Sequence, residues 1–311
     1  MKVYRIEGLN LPEGRKSLTL GSFDGLHLGH LSLLDLAKKR AKEKGIPSCA
    51  MIFNPRVDGK KPQITSLSQQ ISLFKDLGID ELFIVNFSPD FKSLPYPAFL
   101  SSLSSRGVED LVIGPFTCLG KGGEGTVEKM KEFCSSLPLN LIVAPPVEAG
   151  GKRVSSSRIR SLIKEGRVEE ASLLLSRPHF VSGLVVRGLK NGRKMNFPTA
   201  NLGGKVEGMV PKEGVYYGYF ALGKSLHRAA ISVGTNPTVD PRSKEVKIEA
   251  NLIDGAPFSL YGSRAEVKFL GRLRSQEHFA SFSQLKDAIA KDVSECSKQI
   301  PKLISQEPGV E

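Results

Sequence analysis

His27 and His30, with Gly29 between them, form the first grouping in this sequence whose types and spacing suggest chemistry. Each imidazole can donate a hydrogen bond to a phosphate oxygen, and a glycine lets a phosphate approach the backbone closely. Just upstream lies Gly21-Ser22-Phe23-Asp24-Gly25, and downstream the apolar spacing is helical (Leu33, Leu36, Ala37, Ala41). A strand that turns through glycines into a helix leaves unpaired N–H groups at the positive end of the helix dipole, which suits an anion. The grouping therefore favours phosphoryl chemistry on a nucleotide. From the His-x-Gly-His tetrapeptide alone, two other readings stay open: a helix start with a solvated ring, or half of a zinc site. Zinc would need three or four ligands, and the chain has five histidines and four scattered cysteines with no Cys-x-x-Cys pair.

Three further groupings carry candidate chemistry. In VSSSRIRSLIKEG (154–166), Ser155 or Ser156 can cap a helix with Ile159, Leu162 and Ile163 on its apolar face and Gly166 at its end. Arg158 and Arg160 fall in its first turn, where the dipole disfavours cations; a bound anion would remove that conflict, and solvated arginines are the alternative. Farther on, a basic loop containing Gly188, Gly192 and Arg193 precedes Pro198-Thr199-Ala200-Asn201. Threonine and asparagine oxygens are hard ligands of the kind magnesium takes beside substrate phosphates, although this tetrapeptide by itself also reads as a turn. In the third grouping Val246, Ile248, Ala250 and Leu252 alternate with Lys247, Glu249 and Asn251, which puts Glu249 on the polar face of a strand. A carboxylate there is either solvated or a general base toward an alcohol.

The elements that must hold these residues change character along the chain. Strand-like runs at 17–21, 48–53, 81–87, 110–114 and 140–144 alternate with helical patterns, one of them opened by a Ser66/Gln69 capping box and one by Thr126. That alternation predicts an α/β domain, an open parallel sheet with helices on both faces and ligands beyond the carboxyl ends of its strands. A short helix then leads to Arg177-Pro178, after which runs at 180–187, 214–222, 226–233, 245–253 and 264–269 follow with no helix between them. These predict an antiparallel β-barrel, closed by an amphipathic helix over about 283–298. The expected domains are 1–175 and 178–311. The glycine loop at 114–125 resembles a phosphate-binding or dinucleotide motif by letter, but its spacing and its distance from the strand reject both.

Composition narrows the partners. The 311 residues carry a net charge of +12, which favours anionic partners, yet aromatic residues are only 7% and tryptophan is absent. Stacking platforms for single strands are thus poorly supplied, and small phosphorylated ligands are expected rather than nucleic acid. No apolar run approaches the ~20 residues of a membrane span, and the start lacks the apolar core of a signal peptide. The cysteine pattern fits reduced thiols in the cytoplasm.

TLGSFDGLHLGH (19–30) resembles the signature of class I nucleotidyltransferases, most closely the amino-terminal half of bacterial bifunctional riboflavin kinase/FAD synthetases. The resemblance continues through ITSLSQQISLFKDLGIDELFIVNFSPDF and the Ser-Ser-x-x-x-Arg run, then through GLVVRGLKNGRKMNFPTANL, GVYYGYF and ISVGTNPTV to the final amphipathic stretch. It covers nearly the whole chain. The resemblance implies a Rossmann-like nucleotidyltransferase domain followed by a riboflavin kinase barrel. Its substrates and products would be riboflavin, FMN, FAD and ATP, with Mg2+ accompanying ATP. It implies that Gly21, Ser22, Phe23, His27, Gly29, His30, Ser156, Ser157 and Arg160 serve ATP and adenylyl transfer. In the barrel, Thr199 and Asn201 would hold magnesium, the loop with Gly188, Gly192 and Arg193 would cover phosphates, and Glu249 would be the base.

Some positions depart from the family pattern. Ser22 stands for a usual Asn, Phe53-Asn54-Pro55-Arg56 for a Phe-x-Pro-His-Pro run, and Phe116-Thr117-Cys118-Leu119-Gly120 for Asp/Asn-Phe-x-Phe-Gly. In the second half, Asn196 replaces a common Gly and Asn251 a common His. A kinase whose amino-terminal domain only binds nucleotide is the alternative expectation, and an RNA-binding protein a more distant one. A monomer or weak homo-oligomer is expected.

Overall fold

The computed structural model describes residues 1–55, 61–187, 199–235, 246–255, 261–277 and 279–301. The chain divides into two compact units, Met1–Ser156 and Ser157–Glu311.

In the first unit six parallel strands form one sheet in the order β1-β4-β3-β2-β5-β6: Lys2–Glu7, Glu81–Asn86, Ser48–Asn54, Lys16–Leu20, Val108–Ile113 and Asn140–Val143. The central strands are buried on both faces. In β3, Cys49, Met51 and Phe53 join a core with Leu100, Leu103 and Met130, whereas Ala50 and Ile52 join another with Leu34, Phe74 and Ile84. Near-continuous apolar runs are what a sheet covered on both sides demands. Helix α1 (Leu28–Lys44) packs on β2, β3 and β5. It ends on Gly45, whose left-handed φ of 64° lets its N–H close on the Ala41 and Lys42 carbonyls. Helix α2 (Leu67–Asp76) opens with the expected capping box, Ser66 accepting from the Gln69 N–H and Gln69 accepting from the Ser66 N–H. Thr126 does precede its helix (α5, Val127–Cys134) but makes no side-chain cap bond. A short helix α3 (Pro89–Lys92) and the antiparallel pair β7 (Glu148–Ala149) and β8 (Lys152–Arg153) also belong to this unit.

Strand β1 and helix α4 (Tyr96–Ser105) escaped the sequence reading. The first is an edge strand with a largely exposed, charged alternation, and the second starts on prolines without a polar cap, so neither carries a strong signal.

The second unit holds a closed barrel of six strands in the order β10-β13-β12-β11-β14-β9, every neighbouring pair antiparallel. They are β9 His179–Val186, β10 Thr199–Glu207, β11 Gly214–Leu222, β12 Ser225–Gly234, β13 Lys247–Leu252 and β14 Arg264–Arg274. Inward residues such as Val181, Leu202, Tyr216, Phe220, Ile231, Ile248 and Val267 fill the interior. The C-terminal helix, Phe282–Gln299, packs outside on β12 and β11 and is tied to β14 by the Arg274–Asp292 ion pair, 2.6 Å at its shorter contact. Helices α6 (Ser156–Glu165) and α7 (Val168–Leu175) precede the barrel, and Val168 is buried in the barrel core. The compact units thus divide before these helices, whereas the expected boundary lies after them.

Candidate active sites

In the first unit the site is built on the turn between β2 and α1. Phe23, Gly25 and Leu26 all have positive φ, at 47°, 85° and 40°. For the two non-glycine residues that conformation costs about 1–3 kcal/mol each. The surroundings hold it. The Phe23 and Leu26 side chains are fully buried in the core with Leu34 and Phe74, and a buried Phe or Leu returns about 1.5–3 kcal/mol. The Thr65 N–H donates to Asp24 Oδ1 at 3.1 Å, and the Gly25 N–H donates to Thr65 Oγ1 at 2.9 Å. Gln70 Nε2 donates to the Ser22 carbonyl at 3.1 Å, and Ser156 Oγ to the Asp24 carbonyl at 2.9 Å.

The pinned turn presents His27 at the N-cap of α1. Its ring stacks on that of His30, with centroids 3.7 Å apart and planes inclined by 15°. Phe23 supports the pair, its centroid 5.1 Å from that of His30. A Cβ on Gly29 would stand 3.2 Å from His27 Cε1, so glycine leaves room for this ring orientation as well as for a ligand. The first turn of α1 holds no acidic residue, and His27 makes no side-chain cap bond to it. Two imidazoles and a helix N-terminus whose first turn holds no acidic residue form a place for phosphate oxygens.

The expected residues Gly21, Ser22, Phe23, His27, Gly29, His30 and Ser156 are thus brought together in one unit. Phe23 enters through its backbone and as a support, since its side chain is buried. Ser156, expected as a phosphate ligand or a helix cap, holds the turn in place through Asp24. Ser157 and Arg160 belong to the second unit, on α6, where Ser157 is exposed and Arg160 buried. Thr65 and Gln70 were missed, because nothing in the sequence links them to a turn some forty residues earlier. At the departures, the Asn54-Pro55 peptide is cis, Arg56 lies outside the described residues, and Phe116 is 59% exposed beneath the Arg153 guanidinium, 3.8 Å from its centroid. No group of three or more His, Cys, Asp or Glu side chains that could hold a metal ion occurs among the described residues.

In the second unit the site is a matter of strand register. Across the β10–β13 ladder Asn201 lies opposite Glu249 and Thr199 opposite Asn251. On the other side of β13, Ser232 lies opposite Glu249 and Ala230 opposite Asn251. The residues between them, Ala200, Ile248, Ala250 and Ile231, point into the barrel core. Side chains alternate along a strand, so Thr199, Asn201, Ser232, Glu249 and Asn251 share the outer face. Thr199 begins a strand, which sets aside the isolated-turn reading of Pro198-Thr199-Ala200-Asn201. Gln276 Nε2 donates to Ser232 Oγ at 3.0 Å and to the Val233 carbonyl at 3.3 Å, extending this polar row. Ser232 and Gln276 also escaped the sequence reading, being unremarkable until the register joins them to Glu249. Gly188, Gly192 and Arg193 lie outside the described residues, as does Asn196.

A nucleotide-suited turn on a parallel sheet, followed by a barrel with a carboxylate beside hard oxygen donors, matches two family models in the same order. The FAD synthetase model covers residues 11–158 and the riboflavin kinase model residues 175–300. A bifunctional riboflavin kinase/FMN adenylyltransferase from Bacillus subtilis is 32% identical over 94% of this chain and 94% of its own length. The chain belongs to this bifunctional family. The Escherichia coli riboflavin kinase/FMN adenylyltransferase is 30% identical over 88% of this chain and 90% of its own. The crystal structure of a protein described as a macrolide-efflux protein, from Streptococcus pneumoniae, shares the fold with a TM-score of 0.85 and 30% identity. That likeness covers 97% of this chain and 100% of the other. Among the described residues of this riboflavin kinase/FMN adenylyltransferase family member, no helix is long and apolar enough to cross a membrane.

Proposed function

We propose that this chain makes FMN from riboflavin in its barrel and FAD from FMN in its sheet unit, using one ATP at each step. The outer-face alignment of Thr199, Asn201 and Glu249 by strand register is the observation that carries the reading. In the barrel Glu249 accepts the proton of the ribityl hydroxyl as that oxygen bonds to the γ-phosphorus of ATP and ADP leaves. A positioned base of this kind is worth ~10²–10⁴-fold. The Thr199 and Asn201 oxygens are hard donors side by side with that carboxylate, a set that suits Mg2+ accompanied by substrate phosphates. Bound there, the ion would neutralise phosphate charge; Thr199 and Asn201 would hold and orient the ATP end that faces Glu249. The loop with Gly188, Gly192 and Arg193 keeps its proposed phosphate role from the resemblance.

In the sheet unit an FMN phosphate oxygen bonds to the α-phosphorus of ATP and pyrophosphate leaves, with no covalent enzyme intermediate. His27 and His30 donate to the oxygens on which charge builds, and the preorganised turn keeps them in place. Gly21, Ser22, Phe23 and Gly29 line the approach through their backbone. The phosphate roles of Ser157 and Arg160 rest on the resemblance alone. The division into 1–175 and 178–311 is proposed from the change of periodicity at Arg177-Pro178, and the second family match, opening at residue 175, supports it. Because Val168 packs in the barrel core, a barrel fragment should begin at 157. Four free cysteines, three of them buried, support a cytoplasmic setting. A monomer or weak homo-oligomer is proposed, to be checked by light scattering.

The deciding experiment is chromatography of products after the pure protein has been incubated with riboflavin and MgATP. FMN appearing first and FAD later is the expected result. FMN alone would restrict the activity to the barrel, and neither product would overturn the reading.

A further inference from the structure

The outer face of the barrel holds a buried polar side chain with an unmatched donor. Asn251 is only 7% exposed, and its Nδ2 is buried and meets no hydrogen-bond acceptor among the described residues. Leaving a buried amide donor unmade is costly, so such groups call for an explanation. Its position supplies one. Asn251 lies directly opposite Thr199 across the β10–β13 ladder and two residues beyond Glu249 on the same strand, hence on the same face. The other neighbour in its row, Ala230, is apolar and packs against Cys296 and Ile300. On these three strands, the polar neighbours of Asn251 in that row and the row of Glu249 are Thr199, Asn201, Glu249 and Ser232, and Ser232 is already bonded to Gln276.

We propose that Asn251 is a ligand-contacting residue of the kinase site, its Nδ2–H donating to a phosphate oxygen of the bound ATP. This rests on the reading of Thr199 and Glu249 given above. A phosphate oxygen accepts and never donates, which is what an unmatched N–H requires. Thr199, directly across, is the residue proposed to hold the phosphate end, whereas Glu249, facing Asn201, addresses the hydroxyl. Among the described residues the donor is buried and unmade, and an incoming phosphate satisfies it.

The test compares Asn251→Leu and Asn251→Asp with the wild-type full chain. Leucine keeps roughly the volume and removes the buried donor; aspartate replaces the donor by an anion. In the absence of ligands the leucine variant should melt at or above the wild-type temperature, since it has lost a buried unsatisfied group. Its KM for MgATP should rise about 10- to 100-fold, the range for losing one hydrogen bond to a charged group, with KM for riboflavin unchanged. The rise in melting temperature given by MgADP should shrink in parallel, and the aspartate variant should be worse on both measures. A leucine variant with wild-type KM for MgATP and a wild-type MgADP response would overturn the proposal, as would a change confined to KM for riboflavin. Should the leucine variant fail to fold, Asn251→Ala is judged on the same two measures. Glu249→Gln run alongside separates the two claims. If it loses FMN formation while Asn251→Leu behaves as wild type, only the role of Asn251 falls. If it keeps FMN formation, the reading of Glu249 falls, and the MgADP response still decides for or against the Asn251 donor.

Discussion

The turn at 21–30 and the outer face of the barrel prepare for the same ligand, a nucleotide phosphate chain, by opposite means. In the turn, neighbouring residues are forced into positive φ, and the cost is met by core burial of Phe23 and Leu26 and by bonds from Thr65, Gln70 and Ser156. On the barrel nothing need be strained. Glu249 and Asn201, 48 positions apart in sequence, become neighbours because a ladder is in register. A site made by the local path of the backbone is sensitive to whatever pins that path. A site made by register is sensitive chiefly to the functional side chains themselves, because the whole barrel guards the register.

Glu249→Gln should have the largest effect and the narrowest. FMN formation from riboflavin should fall ~10²–10⁴-fold, while conversion of supplied FMN to FAD continues at the wild-type rate. Both rates are read by chromatography on one preparation, and near wild-type FMN formation would remove Glu249 from the mechanism. His27→Ala and His30→Ala come next. Each should lower FAD synthesis ~10²–10³-fold, the loss expected for one preorganised donor to developing charge, with riboflavin phosphorylation untouched. A ring that merely closed the helix end would cost about 1 kcal/mol of stability and no chemistry.

Thr65→Val alters a residue that touches no ligand. It removes the oxygen that accepts from the Gly25 N–H, at a cost of about 1–3 kcal/mol, and loosens the turn. Melting should show destabilisation and FAD synthesis should fall, whereas FMN synthesis should not change. Equal loss of both activities would mean that the two sites are not independently built. The smallest effect concerns stability alone. His179 is buried in the barrel, hydrogen-bonded through Nε2 to the Met209 carbonyl at 2.6 Å and stacked on Phe269. Burial, more than the nearby Arg177, lowers its pKa from 6.5 to about 4, and the Met209 bond opposes the shift. The unfolded chain therefore binds the proton first as pH falls. Stability should be full above about pH 6.5 and decline toward pH 4, by about 2 kcal/mol between pH 7.5 and pH 5. In His179→Phe that part of the pH dependence should vanish; an unchanged slope would assign it to other groups.

Much of this was legible because the turn site is contiguous. Thr19 to His30 carries its glycines, histidines and change of periodicity within twelve residues, enough to place strand, turn and helix. Five of the six barrel strands were legible as strand-like runs, β10 being hidden behind a tetrapeptide that by itself reads as a turn, and Glu249 could be put on a polar face. What Glu249 faces could not, since register depends on pairing between distant strands. Ser232, Gln276, Thr65 and Gln70 were invisible for the same reason. Asn251 was legible as a polar-face residue and as a departure from a family pattern; its burial emerged with the fold.

The closed ring of six strands has a consequence for how the molecule breathes. Every barrel strand has two partners, so none can peel away without opening the ring, and its amides should exchange with solvent deuterium only through large openings. Strand β1 of the sheet has one partner, β4, and a mostly exposed side-chain pattern. It can fray alone, leaving β3, β2 and β5 paired on both sides. In a deuterium-exchange time course the first six or seven residues should thus label early, while strands β9 to β14 label late and together.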